Sequence, residues 1–377
     1  MRQDFHLPAR AYLCGHSLGP MPRRVPDLLR EELETWQYLG VAGHFRGPRP
    51  WMQYHQFARE PLARLVGAMP EEVVAMNGLT VNLHLMLASF YTGRAGIVLD
   101  TPTFPSDRYA VQSHLAQRGF DWKKHLHEID NLNDLEKLLA RGEVELALLA
   151  GVNFLTGEVL DIPRAVQICR RHGVTLGLDL AHAVGNVPLS LHDDGVDFAV
   201  WCSYKYLNSG PGAVAGCFVH ERHARDTERV RLGGWWGNDP DTRFRMHLLP
   251  DFLPVPTADG WQLSNPPVLA LAPLLASLEL FDAVGMPALR ARSLQLGEHF
   301  FNRLSEKIEV LSPREPARRG NMVCLRLPHG ASAHAQFEAA GIVCDFRPPD
   351  VVRAAFCPLY NEEEDIDLFL RALHGEH

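Results

Sequence analysis

The sequence predicts an α/β protein: a mostly parallel central sheet between helices, with a smaller α+β part. Three observations predict it. Short apolar runs alternate with amphipathic segments between residues 80 and 219, the pattern of βαβ units. Beyond Pro266-Pro267 the pattern changes to a long helical stretch followed by shorter mixed elements. A chain of 377 residues with 46% apolar content is long enough for one large and one smaller domain. The expected division is a large domain over 52–265, with 1–51 and 266–377 forming the small one.

Taken in order, Val25 to Leu39 has helical period and starts beside a proline, and Gln53 to Val66 reads as a second helix. Thr80 to Tyr91 is apolar with helical period. Strands are expected at Gly96 to Leu99, Leu146 to Leu149, Thr175 to Leu178, Phe198 to Trp201 and Ala215 to Val219. Helices are expected at Ser106 to Arg118, Leu132 to Ala140 and Pro163 to Arg171. The C-terminal block contributes Asn321 to Leu327, His334 to Ala340 and Ile342 to Phe346. Gly233 to Asn265 is rich in Pro, Gly and aromatics, a long irregular region of the kind that serves a site or an interface.

Bulk properties exclude several classes. A net charge of −8 argues against a nucleic-acid or anionic-membrane surface. No apolar run reaches the roughly 20 residues that span a bilayer, and the first residues lack a charged-then-apolar export signal. Seven scattered cysteines, an odd number without CxxC spacing, read as reduced thiols of a cytoplasmic protein. Nineteen histidines form no HExxH-like pair, so no metal site is expected.

The chemistry centres on two strands. Thr175 to Leu178 leads into Asp179, and Phe198 to Trp201 leads into Ser203-Tyr204-Lys205-Tyr206-Leu207-Asn208. A carboxylate after one strand and a lysine after the next suit pyridoxal 5′-phosphate. The lysine forms an imine with the cofactor aldehyde, and the aspartate pairs with its protonated ring nitrogen. A desolvated lysine is also a better amine nucleophile. On spacing alone, a surface lysine and a helix-capping aspartate remain open.

The other motifs also carry two readings each. Asn77-Gly78-Leu79-Thr80 precedes a helix, so Leu79 and Thr80 either hold a phosphate at its N-terminus or cap it. Phe104-Pro105-Ser106-Asp107 follows a strand end, where α/β sheets place ligands; Phe104 suits an aromatic cofactor face, and Ser106 or Asp107 suits a helix cap. His182 stands three residues after Asp179, as a site residue or a structural histidine. Tyr204 offers a phosphate contact or proton relay, or packs in the strand. Arg353, inside an apolar run, meets a substrate carboxylate or a structural partner. Gly210 to Gly216 lacks GxGxxG spacing and opens no helix, so its glycines serve a turn. Gly15-His16-Ser17-Leu18-Gly19 matches GxSxG, but Pro20 and Pro22 follow and no oxyanion loop precedes, so a nucleophilic Ser17 is not expected.

Taken in order, these segments resemble kynureninase, a family within the aminotransferase superfamily (fold type I of pyridoxal phosphate enzymes). The resemblance runs over essentially the whole chain. It rests on Tyr12 to Gly19, Gly43-His44, Arg49-Pro50-Trp51, Thr80-Val81-Asn82-Leu83-His84, Phe104 to Asp107, Asp179 to His182, Ser203 to Asn208, Gly234 to Gly237, Ser264-Asn265-Pro266-Pro267 and Pro358 to Asn361. It implies hydrolysis of L-kynurenine, and possibly its 3-hydroxy form, to anthranilate (or 3-hydroxyanthranilate) and L-alanine. Lys205 would carry the cofactor, Asp179 would face its ring nitrogen with His182 nearby, and Tyr204 would assist. Leu79 and Thr80 would bind the phosphate. Phe104 would stack on the ring, with Pro105, Ser106 and Asp107 shaping that wall. Trp235 and Asn265 would close the site from the partner subunit of a homodimer. His44 and Asn265 would face the aryl group, and Arg353 would clamp the carboxylate. Family members can carry serine where Ala150 stands, so a hydroxyl contact is absent there. The alternatives are another fold type I enzyme, an aminotransferase or cysteine desulfurase, or a non-catalytic cofactor-binding regulator.

Overall fold

The computed structural model describes residues 1–375. Its frame is a seven-stranded sheet in the order Val73–Ala75, Gly216–Val219, Phe198–Trp201, Thr175–Asp179, Val144–Ala150, Gly96–Asp100, Leu126–Ile129. The last five run parallel; Gly216–Val219 is antiparallel to both its neighbours. The expected α/β architecture is what is observed. Residues 198–201 and 216–219 are buried throughout, which is why these strands read as unbroken apolar runs. One large apolar cluster covers one face of the sheet and a second covers the other.

Local chemistry sets the helix ends. Pro26 stands in the first turn of Val25–Leu39, and Gly40 ends it at φ 54°. Asn131 caps Leu132–Leu139 by accepting the N–H groups of Asn133 and Asp134. Asp161 does the same for Ile162–Arg171 through Arg164 N–H.

Two expected elements differ. Gln53 to Val66 is not one α-helix: Trp51–Ala58 is 3-10 and only Arg59–Val66 is α-helical. Pro61 has no N–H to donate to Phe57, so it fits only the first turn of a new helix. Ile342 to Phe346 is not one strand either. Ile342–Val343 pairs in parallel with Ala11–Tyr12, whereas Asp345–Arg347 enters an antiparallel sheet with Glu309–Val310, Met322–Arg326 and Val351–Ala355. That split sets Asp345 directly opposite Arg353. The long C-terminal stretch is two helices, Val268–Val284 and Met286–Phe301, bent by 82°; among the described residues no single helix is long and apolar enough to cross a membrane. Residues 233–265 are irregular apart from two 3-10 turns and one antiparallel bridge between Asn238 and Pro254.

Candidate active site

Five lysines occur in the chain, and four of them (123, 124, 137 and 307) are exposed. Lys205 alone is buried, at 8%. It sits in the connection between the antiparallel strands Phe198–Trp201 and Gly216–Val219. That connection is tied down from within: Ser209 N–H donates to Ser203 O (3.1 Å), and Asn208 N–H to Lys205 O (3.0 Å). It turns through Asn208 at φ 52° and Gly210 at φ 84°, the left-handed conformation expected of its glycines. Gly19 N–H donates to Tyr204 O at 2.8 Å. A Cβ at Gly19 would collide with Asn208 and stand 2.5 Å from Lys205 O. The Gly15–Gly19 motif therefore buttresses the lysine loop, in a turn rather than a strand–helix elbow.

Around the amine, Lys205 Nζ lies 3.2 Å from His182 Nε2, 5.6 Å from the Phe104 ring centre and 5.9 Å from that of Tyr204. Burial and the lysine charge push His182 well below its ordinary value, so the ring is neutral and available as an acceptor. Burial pushes the Tyr204 phenol up, keeping its proton. Asp179 ends its strand buried, with one oxygen accepting Ala181 N–H at 2.7 Å. Lys205 and Asp179 form no ion pair among the described residues, and both act on the buried Asp107 between them in the electrostatics of the site.

Asp179 is not the only acid there. Burial, then the Asp179 charge, pushes Asp107 well above the usual carboxylate range. Asp100, at the end of its own strand, is pushed up to about 6, mainly by burial. A neutral Asp107 relieves the repulsion between these neighbouring carboxylates. Ala150 pairs in register with Asp179, and its N–H donates to Asp100 at 3.1 Å.

The helix Leu79–Phe90 opens toward the same region. Asn77 adopts φ 49° and Gly78 is extended. The N–H groups of Leu79 and Thr80 have no protein acceptor among the described residues, and a Cβ at Gly78 would meet open space. Thr80 Oγ1 lies 2.8 Å from Ser106 Oγ, and Ser106 follows Phe104 and Pro105 at the next helix start. Leu79, Thr80, Phe104, Pro105, Ser106, Asp107, Asp179, His182, Tyr204 and Lys205 are thus linked through one network.

Arg353 is 1% exposed. Its Nε donates to Asp345 at 2.6 Å, its second terminal nitrogen donates to the same oxygen, and the first donates to Phe154 O at 2.6 Å. The Phe154 ring meets Phe104 edge-on at 5.4 Å, which joins the arginine to the site wall. The structural ion pair weighed for Arg353 is therefore present. A guanidinium carries five N–H donors, so each terminal nitrogen retains one for another acceptor.

His44, Trp235 and Asn265 make other contacts or face solvent within one chain. His44 packs edge-on against Trp51 at 5.4 Å, Trp235 is 39% exposed, and Asn265 is exposed. None of the three has a hydrogen bond or ring contact to Lys205, Asp179 or Phe104 among the described residues.

Asp345 and His16 were not expected as site residues. His16 is fully buried with its Nε2 3.7 Å from Asp345. Only strand register reveals Asp345, and the glycine motif drew attention to Ser17 instead. Burial holds His16 down at about 4, against an ordinary 6.5. Between those values the unfolded chain takes a proton that the folded chain refuses. The stability from neutral His16 is thus complete above pH 6.5 and is lost as pH falls through about 4. His16→Asn should make the decline of Tm over that window shallower; an unchanged decline would assign it to other groups.

Residues 289–373 match the model of the kynureninase C-terminal domain. Among curated proteins, the kynureninase of Xanthomonas oryzae pv. oryzae (strain PXO99A) is 50% identical, over 96% of this chain and 90% of that protein. The kynureninase of Xanthomonas euvesicatoria pv. vesicatoria is also 50% identical, over 97% and 91%. The chain belongs to the kynureninase family. Its cofactor is pyridoxal 5′-phosphate. Solved structures agree on the fold: a cysteine desulfurase from Thermococcus onnurineus superposes with a TM-score of 0.82 over 99% of this chain and 96% of its own, at 17% identity. An alanine–glyoxylate aminotransferase from Nostoc gives 0.73 over 98% and 96%, also at 17%. At that identity both share the fold type I architecture and nothing finer is inferred.

The pocket fits the cofactor on its own chemistry. It offers one buried amine, an aromatic face, unpartnered helix N–H groups beside a hydroxyl pair for a phosphate, and a carboxylate for a protonated ring nitrogen. It also leaves Asp107 Oδ1 and His182 Nδ1 buried without partners, as expected of polar atoms that a ligand would meet.

Proposed function

We propose that this chain hydrolyses the Cβ–Cγ bond of L-kynurenine, and of its 3-hydroxy form, giving anthranilate (or 3-hydroxyanthranilate) and L-alanine. The single observation that carries the reading is the buried Lys205 facing Phe104 beside the Asp179 strand end. When bound, pyridoxal phosphate supplies an electron sink for the carbanions that C–H and C–C cleavage generate.

The chain's own residues supply the rest. Lys205 would hold the cofactor and is the amine placed to take the proton from the substrate's α-carbon. Leu79 and Thr80 N–H and the Thr80 hydroxyl hold the phosphate. Asp179 would pair with the ring nitrogen, and Asp107, Pro105 and Ser106 would complete the wall beside Phe104. Tyr204, with its proton retained, donates to the oxygen of the γ-carbonyl as water adds there. Arg353 receives the substrate carboxylate on its remaining N–H donors, fixing the bond to be broken relative to Lys205.

A homodimer completes the site in this reading, with Trp235 and Asn265 reaching a partner's cofactor, and His44 and Asn265 facing its aryl group. Trp36, Tyr38, Phe45 and Phe244 are exposed on the same chain, and exposed aromatics of this kind favour a covering surface. The division into a large part (52–265) and a small one (1–51 with 266–377) leaves the lysine loop in the first and Arg353 in the second. A cytoplasmic enzyme of tryptophan catabolism or pyridine nucleotide biosynthesis, with no nucleic-acid or membrane partner, completes the proposal.

A cysteine desulfurase is disfavoured by the thiols. Six of the seven cysteines are buried and the half-buried Cys14 is pushed up to about 11 by burial, whereas a reactive thiol needs the opposite. Incubation with L-kynurenine should release anthranilate and alanine in equal amounts. Sulfide from cysteine, or an oxo acid in place of alanine, would contradict the proposal.

A further inference from the structure

Glu32 lies in the helix Val25–Leu39 and is 2% exposed. Three donors from one later segment converge on its carboxylate. Arg49 Nε donates to Oε1 at 2.8 Å, the Tyr54 hydroxyl donates to the same oxygen at 2.9 Å, and Trp51 Nε1 donates to Oε2 at 2.9 Å. Glu31 takes the other end of Arg49, accepting from Nη2 at 2.6 Å. Burial, then the Glu32 charge, pushes the Tyr54 phenol well above its ordinary value, so it keeps its proton and donates. An acid at this depth needs its oxygens answered by donors, and here the answer ties residues 49–54 to the helix.

Trp51 carries that constraint onward. Its indole is pinned at the nitrogen by Glu32, and its six-membered ring lies against Gly43, where a Cβ would stand between 2.8 and 3.1 Å from Cη2, Cζ3 and Cζ2. Only glycine leaves room for the ring there. The next residue, His44, meets the same indole edge-on, at 5.4 Å with 90° between the planes. His44 Nδ1 is buried without a partner. The aromatic contacts with Trp51 and, at 6.3 Å, with Phe45 are therefore what hold the imidazole. Glu32 itself has no hydrogen bond to the network around Lys205 among the described residues.

We propose that Glu32 is a positioning residue for recognition of the substrate's aryl group: through the Trp51 N–H it fixes the indole on which the His44 ring is oriented. The inference rests on the reading of His44 as an aryl-facing residue. It separates the two halves of the substrate, because Arg353 and Lys205 hold the amino-acid half without any contact to Glu32.

The test uses holoenzyme, with the two products as competitive probes: anthranilate for the aryl half and L-alanine for the amino-acid half. Glu32→Gln turns one acceptor oxygen into a donor. The charged Arg49 retains the oxygen, so the amide N–H group faces the Trp51 N–H and that bond is lost. Inhibition by anthranilate should weaken about tenfold with inhibition by alanine unchanged, and KM for kynurenine should rise with a smaller change in kcat. Trp51→Phe removes the same N–H from the other side and should give the same split. Tyr54→Phe takes a donor from the same carboxylate without touching Trp51; it should lower Tm and leave both inhibition constants at the parent's values. Parent-like anthranilate binding in Glu32→Gln or Trp51→Phe, equal weakening of anthranilate and alanine, or a Tyr54→Phe variant that reproduces the selective loss would each overturn the positioning role. A parent enzyme that releases no anthranilate from kynurenine would instead refute the proposed function, and the aryl site with it.

Discussion

Lys205→Ala is expected to abolish kynurenine cleavage, with a loss of at least about 10⁴-fold, and to remove the visible absorbance of lysine-bound cofactor. The size follows from two losses at one atom. The amine that holds the cofactor is gone, and so is the base that moves the α-proton, a role worth about 10²–10⁴ in rate by itself. No other lysine can substitute, because the remaining four are exposed and lie outside the pocket. His182, 3.2 Å away, is kept neutral by burial and cannot form the bond. The fold should survive, since alanine leaves only a polar cavity that water can fill. Retained far-ultraviolet dichroism with residual cleavage above one part in 10⁴ would count against the role.

Arg353→Ala should damage both catalysis and stability, and the two effects can be separated. Removing the guanidinium takes away the carboxylate contact, for which we expect kcat/KM to fall about 10²–10³-fold with cofactor retained. It also strips Asp345 of its main buried partner, leaving Arg347 at 3.0 Å and His16 at 3.7 Å. Breaking such a pair on one side costs about 3–5 kcal/mol. Adding Asp345→Asn removes the stranded charge. The double variant should therefore regain much of the lost Tm while kcat/KM stays low. If kcat/KM recovered together with Tm, Arg353 would be structural only and the carboxylate would bind elsewhere.

Asp345→Asn alone addresses the orientation of that clamp. The carboxylate oxygen accepts from two nitrogens of Arg353, which fixes the guanidinium plane. The amide cannot match that charge-assisted pair. KM for kynurenine should rise with a smaller change in kcat, and Asp345→Glu should restore part of it; equal losses in both constants would point to general destabilisation.

The legible parts of the molecule were those set by local sequence. Phe198–Trp201 reads as a buried strand because every residue in it is apolar, and the lysine after it is conspicuous in a chain with few others. The phosphate-side helix announces itself through Asn77-Gly78, whose backbone takes the conformations those residues permit most readily. What required the structure was register and neighbourhood across long separations. Asp345 meets Arg353 only because the run from Ile342 breaks at Cys344 and its two halves join different sheets. Asp100 and Asp107 crowd Asp179 from separate strand and helix ends, which no spacing reveals. The helical period through Gln53 to Val66 was real, but Pro61 divides it. His44, Trp235 and Asn265 carry the family resemblance, and within one chain none of them has a hydrogen bond or ring contact to Lys205 among the described residues.

The most direct measurement is borohydride reduction of the holoenzyme followed by peptide mapping. A single cofactor adduct should appear on Lys205, within the Ser203–Asn208 peptide, and Asp179→Asn should lower turnover without moving it. An adduct on Lys123, Lys124, Lys137 or Lys307, or no adduct on a fully active protein, would contradict the assignment of this pocket as the catalytic centre.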